Sequence, residues 1–305
     1  MSAPTASRHA ADPDRNTTAG RLLRSSAKKS YDPEVDIDWD APLVEGKAWM
    51  PEHRVSLYGT PLWDHMSPEQ RLELGKHEAC SVASVGLWFE TLLMQRLLKD
   101  FYAEDPTSEH AQWALTEVAD ECRHSQMFAR MVATAGVEPY GPVPAVRQLG
   151  KLFTVLNHGP AAYASILVAE EVLDRLQREQ AGDDTIQPLM RQVNKIHIME
   201  EARHVAFARD EVTRGIAELS RAELAHQRWA TALTSYFVVR SLINPRVYAA
   251  VGIDPAEGHR AAVANPHHRE MIRWGGEKIM AFLSDAGMVG APGMTMWRRS
   301  FLLPR

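Results

Sequence analysis

Two segments of this 305-residue chain carry the same five-position pattern: Asp120-Glu121-Cys122-Arg123-His124 and Glu200-Glu201-Ala202-Arg203-His204. In each, an acid is followed by Glu, any residue, Arg and His. Residues three apart on a helix share a face, so Glu121 and His124 address one spot, as do Glu201 and His204. A carboxylate oxygen and an imidazole nitrogen at one spot suit iron or manganese. Helical bundles that hold two metals take a Glu-x-x-His pair from each of two helices and a single Glu from each of the other two. A chain of that kind must supply one Glu ahead of each motif.

This chain does. Glu90 lies in Leu87-Trp88-Phe89-Glu90-Thr91-Leu92-Leu93, where a lone buried carboxylate would be costly without a cationic partner. Ahead of the second motif Glu170 and Glu171 compete. Ile166 and Leu173 are the face neighbours of Glu170, whereas Asp174 and Arg175 lie near Glu171, and the apolar face favours Glu170. Glu90 to Glu121 and Glu170 to Glu201 are equal intervals of 31 residues, by subtraction of their numbers. That equality predicts a duplicated two-helix unit about a pseudo-twofold axis. His197 lies four residues before Glu201 and seven before His204, on their face. The acids Asp120 and Glu200 are candidates for the groups behind the histidines, Asp120 for His204 and Glu200 for His124, since a ligating imidazole usually donates its second N–H to a carboxylate. Arg123 and Arg203 either pair with these acids or face solvent. A third Glu-x-x-His, Glu223 to His226, lacks the Arg and the preceding acid and is read as chance. A substrate pocket beside the metals would draw on Ala83, Gly86 and Leu87 before Glu90 and on Ile166 and Leu173 around Glu170.

The rest of the chain is compatible with such a bundle. Ser67-Pro68-Glu69-Gln70 combines an N-cap, a first-turn proline and a capping-box glutamine. Helices are expected from there to about Tyr102, from Ser108 to Ala135, over Val146 to Leu156, from Ala161 to Ala181, from near Asp184 to Leu219, from Arg221 to Leu242 and from Pro266 to Ala286. No segment reads as paired strands. The expected fold class is all-α: a ferritin-like four-helix bundle core, about residues 67–219, with extra helices and an irregular N-terminal strap over 31–66. Residues 1–30 are polar and without hydrophobic period, and are expected to form a disordered arm; 31–305 are expected to be one domain. The C-terminal MWRRSFLLPR is apolar and basic, suited to docking on the body or on a partner subunit.

Charge and composition narrow the function classes. Lys and Arg number 34 against 39 Asp and Glu, a net charge of −5, which argues against a nucleic-acid partner. Two cysteines without a CxxC suit a reducing cytoplasm. The N-terminus has no apolar leader and no apolar stretch is long enough to span a bilayer, so no membrane partner is expected.

The runs HEACSVASVGLWFET, ALTEVADECRH, AEEVLD and HIMEEARH, with YDPEVDIDWDAP and SLYGTPLW ahead of them, resemble the AurF-type non-haem di-iron arylamine N-oxygenases, over about Tyr31 to Glu211. The His-x-x-x-Glu-x-x-His of His197, Glu201 and His204 is the feature that most separates that family from six-ligand ferritin-like proteins. The resemblance implies seven ligands, Glu90, Glu121, His124, Glu170, His197, Glu201 and His204, holding two iron ions, with manganese as the other candidate metal. It implies dioxygen as co-substrate and oxidation of an amine nitrogen to hydroxylamine, nitroso or nitro products. It also implies a homodimer. With no strand-borne dinucleotide signature, electrons are expected from a separate reductase or carrier. Carbon hydroxylation on the same site, or ferroxidase chemistry in a non-catalytic iron-binding protein, are the alternatives; a radical-generating role would need a Tyr near a metal, and Tyr163 lies two turns from Glu170. No residue stands out to anchor a substrate carboxylate.

Overall fold

The computed structural model describes residues 13–156 and 158–304, with side chains from residue 15 onward except at 152–156. Its regular elements are helices, in the order α1 (Pro13–Lys28), α2 (Pro33–Asp36), α3 (Pro61–Asp64), α4 (Pro68–Ala103), α5 (Glu109–Thr134), α6 (Pro144–Leu156), α7 (Pro160–Gly182), α8 (Pro188–Ala217), α9 (Arg221–Ser241), α10 (Pro255–Ala264), α11 (Pro266–Asp285) and α12 (Met294–Arg299). Among the described residues no strand forms; Ala48 and Ile186 make a single parallel bridge. The α4–α5 and α7–α8 hairpins pack together through α5 on α8 and α4 on α7. This is the ferritin-like core.

Local chemistry sets the helix ends. Ser67 accepts from the Gln70 amide at 3.3 Å and Gln70 accepts from the Ser67 amide at 3.0 Å, so the capping box starts α4. Ser220 and Glu223 close the same box at α9, which explains Glu223 as a capping residue. The start expected near Asp184 moves to Pro188, because Asp183 accepts from both the amide and the hydroxyl of Thr185 and so holds the connection as an Asx turn. The Gln187 amide then donates to the Ala48 carbonyl at 2.8 Å, tying this turn to the strap.

The expectation of a disordered arm over 1–30 is corrected for residues 13–28. Residues 1–12 lie outside the described residues. Helix α1 lies on α5 and buries Ala19 and Leu22 in the main core. Its Arg15 holds Glu211 through two bonds of 2.9 and 3.0 Å and reaches Glu104 at 2.8 Å. The apolar positions in this polar segment are few, but tertiary packing of one face is what stabilises most short helices. Replacing Arg15 with Ala removes two charge-assisted hydrogen bonds from the largely buried Glu211 carboxylate and leaves it the more distant Arg214, at 3.7 Å. The expected cost is about 1–3 kcal/mol, read as a lower urea midpoint with faster proteolysis of α1.

The strap crosses the bundle end with Trp49, Met50, Val55, Leu57 and Trp63 buried. Helices α9 and α11 pack on α7, and the tail returns to the body: Trp297, Phe301 and Leu302 are buried in the main core. In this outer layer His268 is buried and its Nδ1 has no hydrogen-bond partner among the described residues. Burial, with Arg240, His267, His259 and Arg269 nearby, pushes its pKa down to about 3. The unfolded imidazole titrates near 6.5. His268 therefore contributes stability that is fully present above pH about 6.5 and is lost as pH falls towards 3, at up to about 1.4 kcal/mol per pH unit. His268→Leu is expected to flatten that part of the acid decline, measured as urea midpoints at pH 7 and 5.

Candidate metal centre

The four long helices bring the seven expected ligand side chains into one buried cluster. Glu121, His124, Glu201 and His204 offer donor atoms within 4.8 Å of one another, as do Glu90, His124 and His197, and Glu170, His197 and Glu201. The His124 ring lies 4.8 Å from that of His197 and 5.8 Å from that of His204, centroid to centroid.

The outward-facing nitrogens indicate which ring atoms are available to a metal. His124 Nε2 lies 3.0 Å from Glu200 and His204 Nε2 lies 3.3 Å from Asp120. Each motif's leading acid thus stands behind the other motif's histidine. With Nε2 set against these carboxylates, Nδ1 is the ring nitrogen that His124 turns towards Glu121 and His204 towards Glu201, and a metal binding there displaces its proton. His197 is turned the other way: Nδ1 lies 2.9 Å from the Gln177 carbonyl oxygen, which can only accept, so Nε2 faces Glu90 at 3.7 Å with its lone pair. Arg203 bridges Asp120 and Glu200, 3.5 Å from each, and Arg123 pairs with Asp120. Both arginines serve the acids inside the bundle.

Electrostatics favour a cation here. Burial pushes the Glu90 and Glu170 carboxyls upward, Glu170 well above the usual range with Glu201, Glu121 and Glu90 adding repulsion. Burial opposes charging His124, but Glu121 and Glu200 outweigh it and raise the imidazole to about 10. Oxygens of the buried Glu121 and Glu201 have no hydrogen-bond partner among the described residues; Glu121 Oε1 is 2.9 Å from His204 Nδ1 but poorly aligned. Orphaned carboxylate oxygens, four acids and three correctly turned imidazoles fit two divalent cations, whose charge would match the four carboxylates.

The choice between Glu170 and Glu171 has a different physical basis from the apolar-face argument. Glu171 is the more buried of the two, and its carboxylate is held bidentately by Arg209 at 2.5 and 2.9 Å. Glu170 joins the cluster and touches two cavities. Tyr163 points elsewhere, its hydroxyl donating to Asp100 at 3.0 Å.

A cavity of about 40 Å³ lies against Glu90, Glu170 and His197, and Ala83, Gly86 and Leu173 line it. A second, of about 500 Å³, includes Ile166 and also reaches Glu170. Leu87, expected in the pocket, lines none of the cavities described. At 100° per residue it sits about 60° beyond Glu90, on the side away from Gly86 and Phe89.

Glu117 was not among the expected residues. It is buried one turn before Glu121, and burial raises it to about 8, with His204 opposing and Glu121 and Glu201 adding to the rise. Its signal was in the duplication: Glu117 precedes Glu121 by four, as His197 precedes Glu201.

Among curated proteins the chain is similar to uncharacterized proteins from two strains of Mycobacterium tuberculosis and from Mycobacterium bovis, each 29 % identical over 231 residues, or 73 % of this chain. The match spans 66 % of each relative's own length, just under two thirds. The profile of a family described as P-aminobenzoate N-oxygenase AurF matches residues 12–287. With that match over most of its length and a buried cluster able to bind metal, the chain belongs to the AurF family of di-iron oxygenases.

Proposed function

We propose that the protein oxidises an amine nitrogen with dioxygen, using two iron ions held by Glu90, Glu121, His124, Glu170, His197, Glu201 and His204. The observation that carries this reading is the convergence of four carboxylates and three histidines whose inner ring nitrogens face the same buried volume. Iron bound there would supply dioxygen reduction and oxygen-atom transfer to the nitrogen. In the first round the amine, dioxygen, two electrons and two protons give the hydroxylamine and water. A separate reductase or small carrier supplies the electrons.

The chain's own residues set the conditions for that chemistry. Asp120, Glu200 and Gln177 fix the three imidazoles in the tautomers that present a lone pair inward. Arg123 and Arg203 together neutralise the two acids, so they can accept from the histidines without adding bare charge. Ser125 donates to Glu90 at 2.8 Å and holds one of its oxygens, leaving the other towards His197. Ala83, Gly86 and Phe128 wall the small cavity at Glu90.

The test is anaerobic loading with ferrous iron, metal analysis, then exposure to ¹⁸O-labelled dioxygen with a reductant and an arylamine. The expected result is two irons per chain and label on the nitrogen of the product. Stoichiometric iron that oxidises without changing any amine would overturn the N-oxygenase reading, and absence of stoichiometric iron would overturn the metal site.

A further inference from the structure

The second cavity carries information about substrate class. Its volume is about 500 Å³, whereas a cavity of about 150 Å³ already holds benzene. Helices α4, α6, α7 and α9 wall it, and Phe89, Ala169 and Glu170 belong to both this cavity and the small one at the metal cluster. Glu170 therefore stands between the two spaces. From there the larger one runs outward between Trp88, Ile166, Leu233 and Phe237. Two of its lining residues, Leu149 and Trp229, are each 41 % exposed and give it an apolar rim. The ring of Trp88 is admitted against α6 by Gly150, where a Cβ would lie 2.3 Å from it.

The lining is as informative for what it lacks. No Lys or Arg lines this cavity among the described residues, and the one carboxylate is Glu170. A ligand carboxylate in the apolar section would be desolvated without a counter-charge and would face Glu170 at the inner end, both unfavourable. The polar groups nearest an extended ligand are Ser165, Thr234, His158 and His226. His226, from the Glu-x-x-His attributed to chance, stands beside Trp229 with ring centroids 6.1 Å apart, placed to meet an uncharged polar group near the mouth.

We infer that the substrate is an amine carried on an extended apolar body without an acidic group, its nitrogen seated at Glu170 and its body between α7 and α9. This rests on the N-oxygenase reading for the amine, but the apolar body is read from the cavity alone. Binding to metal-free protein separates the two. Quenching of tryptophan fluorescence (Trp88 and Trp229 line the cavity) is followed on titration with 4-butylaniline and with 4-(4-aminophenyl)butanoate. The uncharged amine is expected to bind at least about tenfold more tightly. Ala230→Trp, which fills the cavity from α9, is expected to weaken it by about tenfold or more. Leu233→Arg supplies the missing cation and is expected to reverse the preference, a gain that a misfolded variant would not show. Equal or tighter binding of the acid by the unaltered protein would overturn the inference, as would butylaniline binding untouched by both substitutions. If butylaniline binds as expected yet the iron-loaded protein oxidises its carbon chain and not its nitrogen, the apolar assignment stands and the N-oxygenase reading fails.

Discussion

Glu170→Gln is expected to change stability in opposite directions with and without metal. In metal-free protein the Glu170 carboxylate is opposed by burial and by Glu201, Glu121 and Glu90. A neutral amide of the same shape removes that repulsion, so the thermal midpoint of metal-free protein should rise at neutral pH. With metal the balance reverses. The amide is a poor ligand for a hard divalent cation, so metal content should fall from two per chain towards one. Turnover should fall by about 100-fold or more, the upper range for losing even a supporting partner of a metal ligand. Calorimetry on metal-free and loaded samples, with metal analysis of both, reads all three effects. A variant less stable than the parent without metal would mean that the cluster does not carry surplus negative charge.

The second large effect lies at the far end of the chain. Trp297 is fully buried in the core that also contains Val172, Leu283 and Met288. Trp297→Ala should cost about 3–5 kcal/mol, read from denaturant unfolding. The indole N–H has no hydrogen-bond partner among the described residues, so the side chain works through its volume alone. Trp297→Phe keeps much of that volume and no polar interaction is lost, so its cost should stay below about 1.5 kcal/mol. Equal losses in both variants would show that the nitrogen is bonded after all.

Much of the core was legible because its signals are local. The duplicated five-position motif and the equal 31-residue intervals lie within helices, where spacing alone says which residues share a face. Ser67, Pro68 and Gln70 mark the start of α4 in the same way. What was not legible depends on contacts between distant segments. Residues 13–28 look like a solvated tail until Glu211, almost two hundred residues on, is seen to receive Arg15. Glu170 prevails over Glu171 because Arg209 on α8 takes the latter, a fact that no pattern within α7 contains. The large cavity arises where α6 and α9 stand off from α4 and α7, and its emptiness leaves no mark on periodicity. Glu117 is a different case: the same four-residue spacing that singled out His197 applied to it, and its placement beside Val118 and Leu115 disguised it as part of an ordinary amphipathic face.

The backbone where α1 gives way to the strap is tied to the buried acids, and that bears on watching the molecule in solution. The amide of Tyr31 donates to Glu200 at 3.1 Å and the carbonyl of Lys29 accepts from Arg203 at 3.3 Å. The backbone just after α1 thus closes the network behind His124. Opening of that segment exposes Tyr31 N–H to solvent and unties Glu200 in the same event. The deuterium uptake of this one peptide group is therefore a clock for how often water gains entry behind the histidine, and it can be read without metal, substrate or turnover.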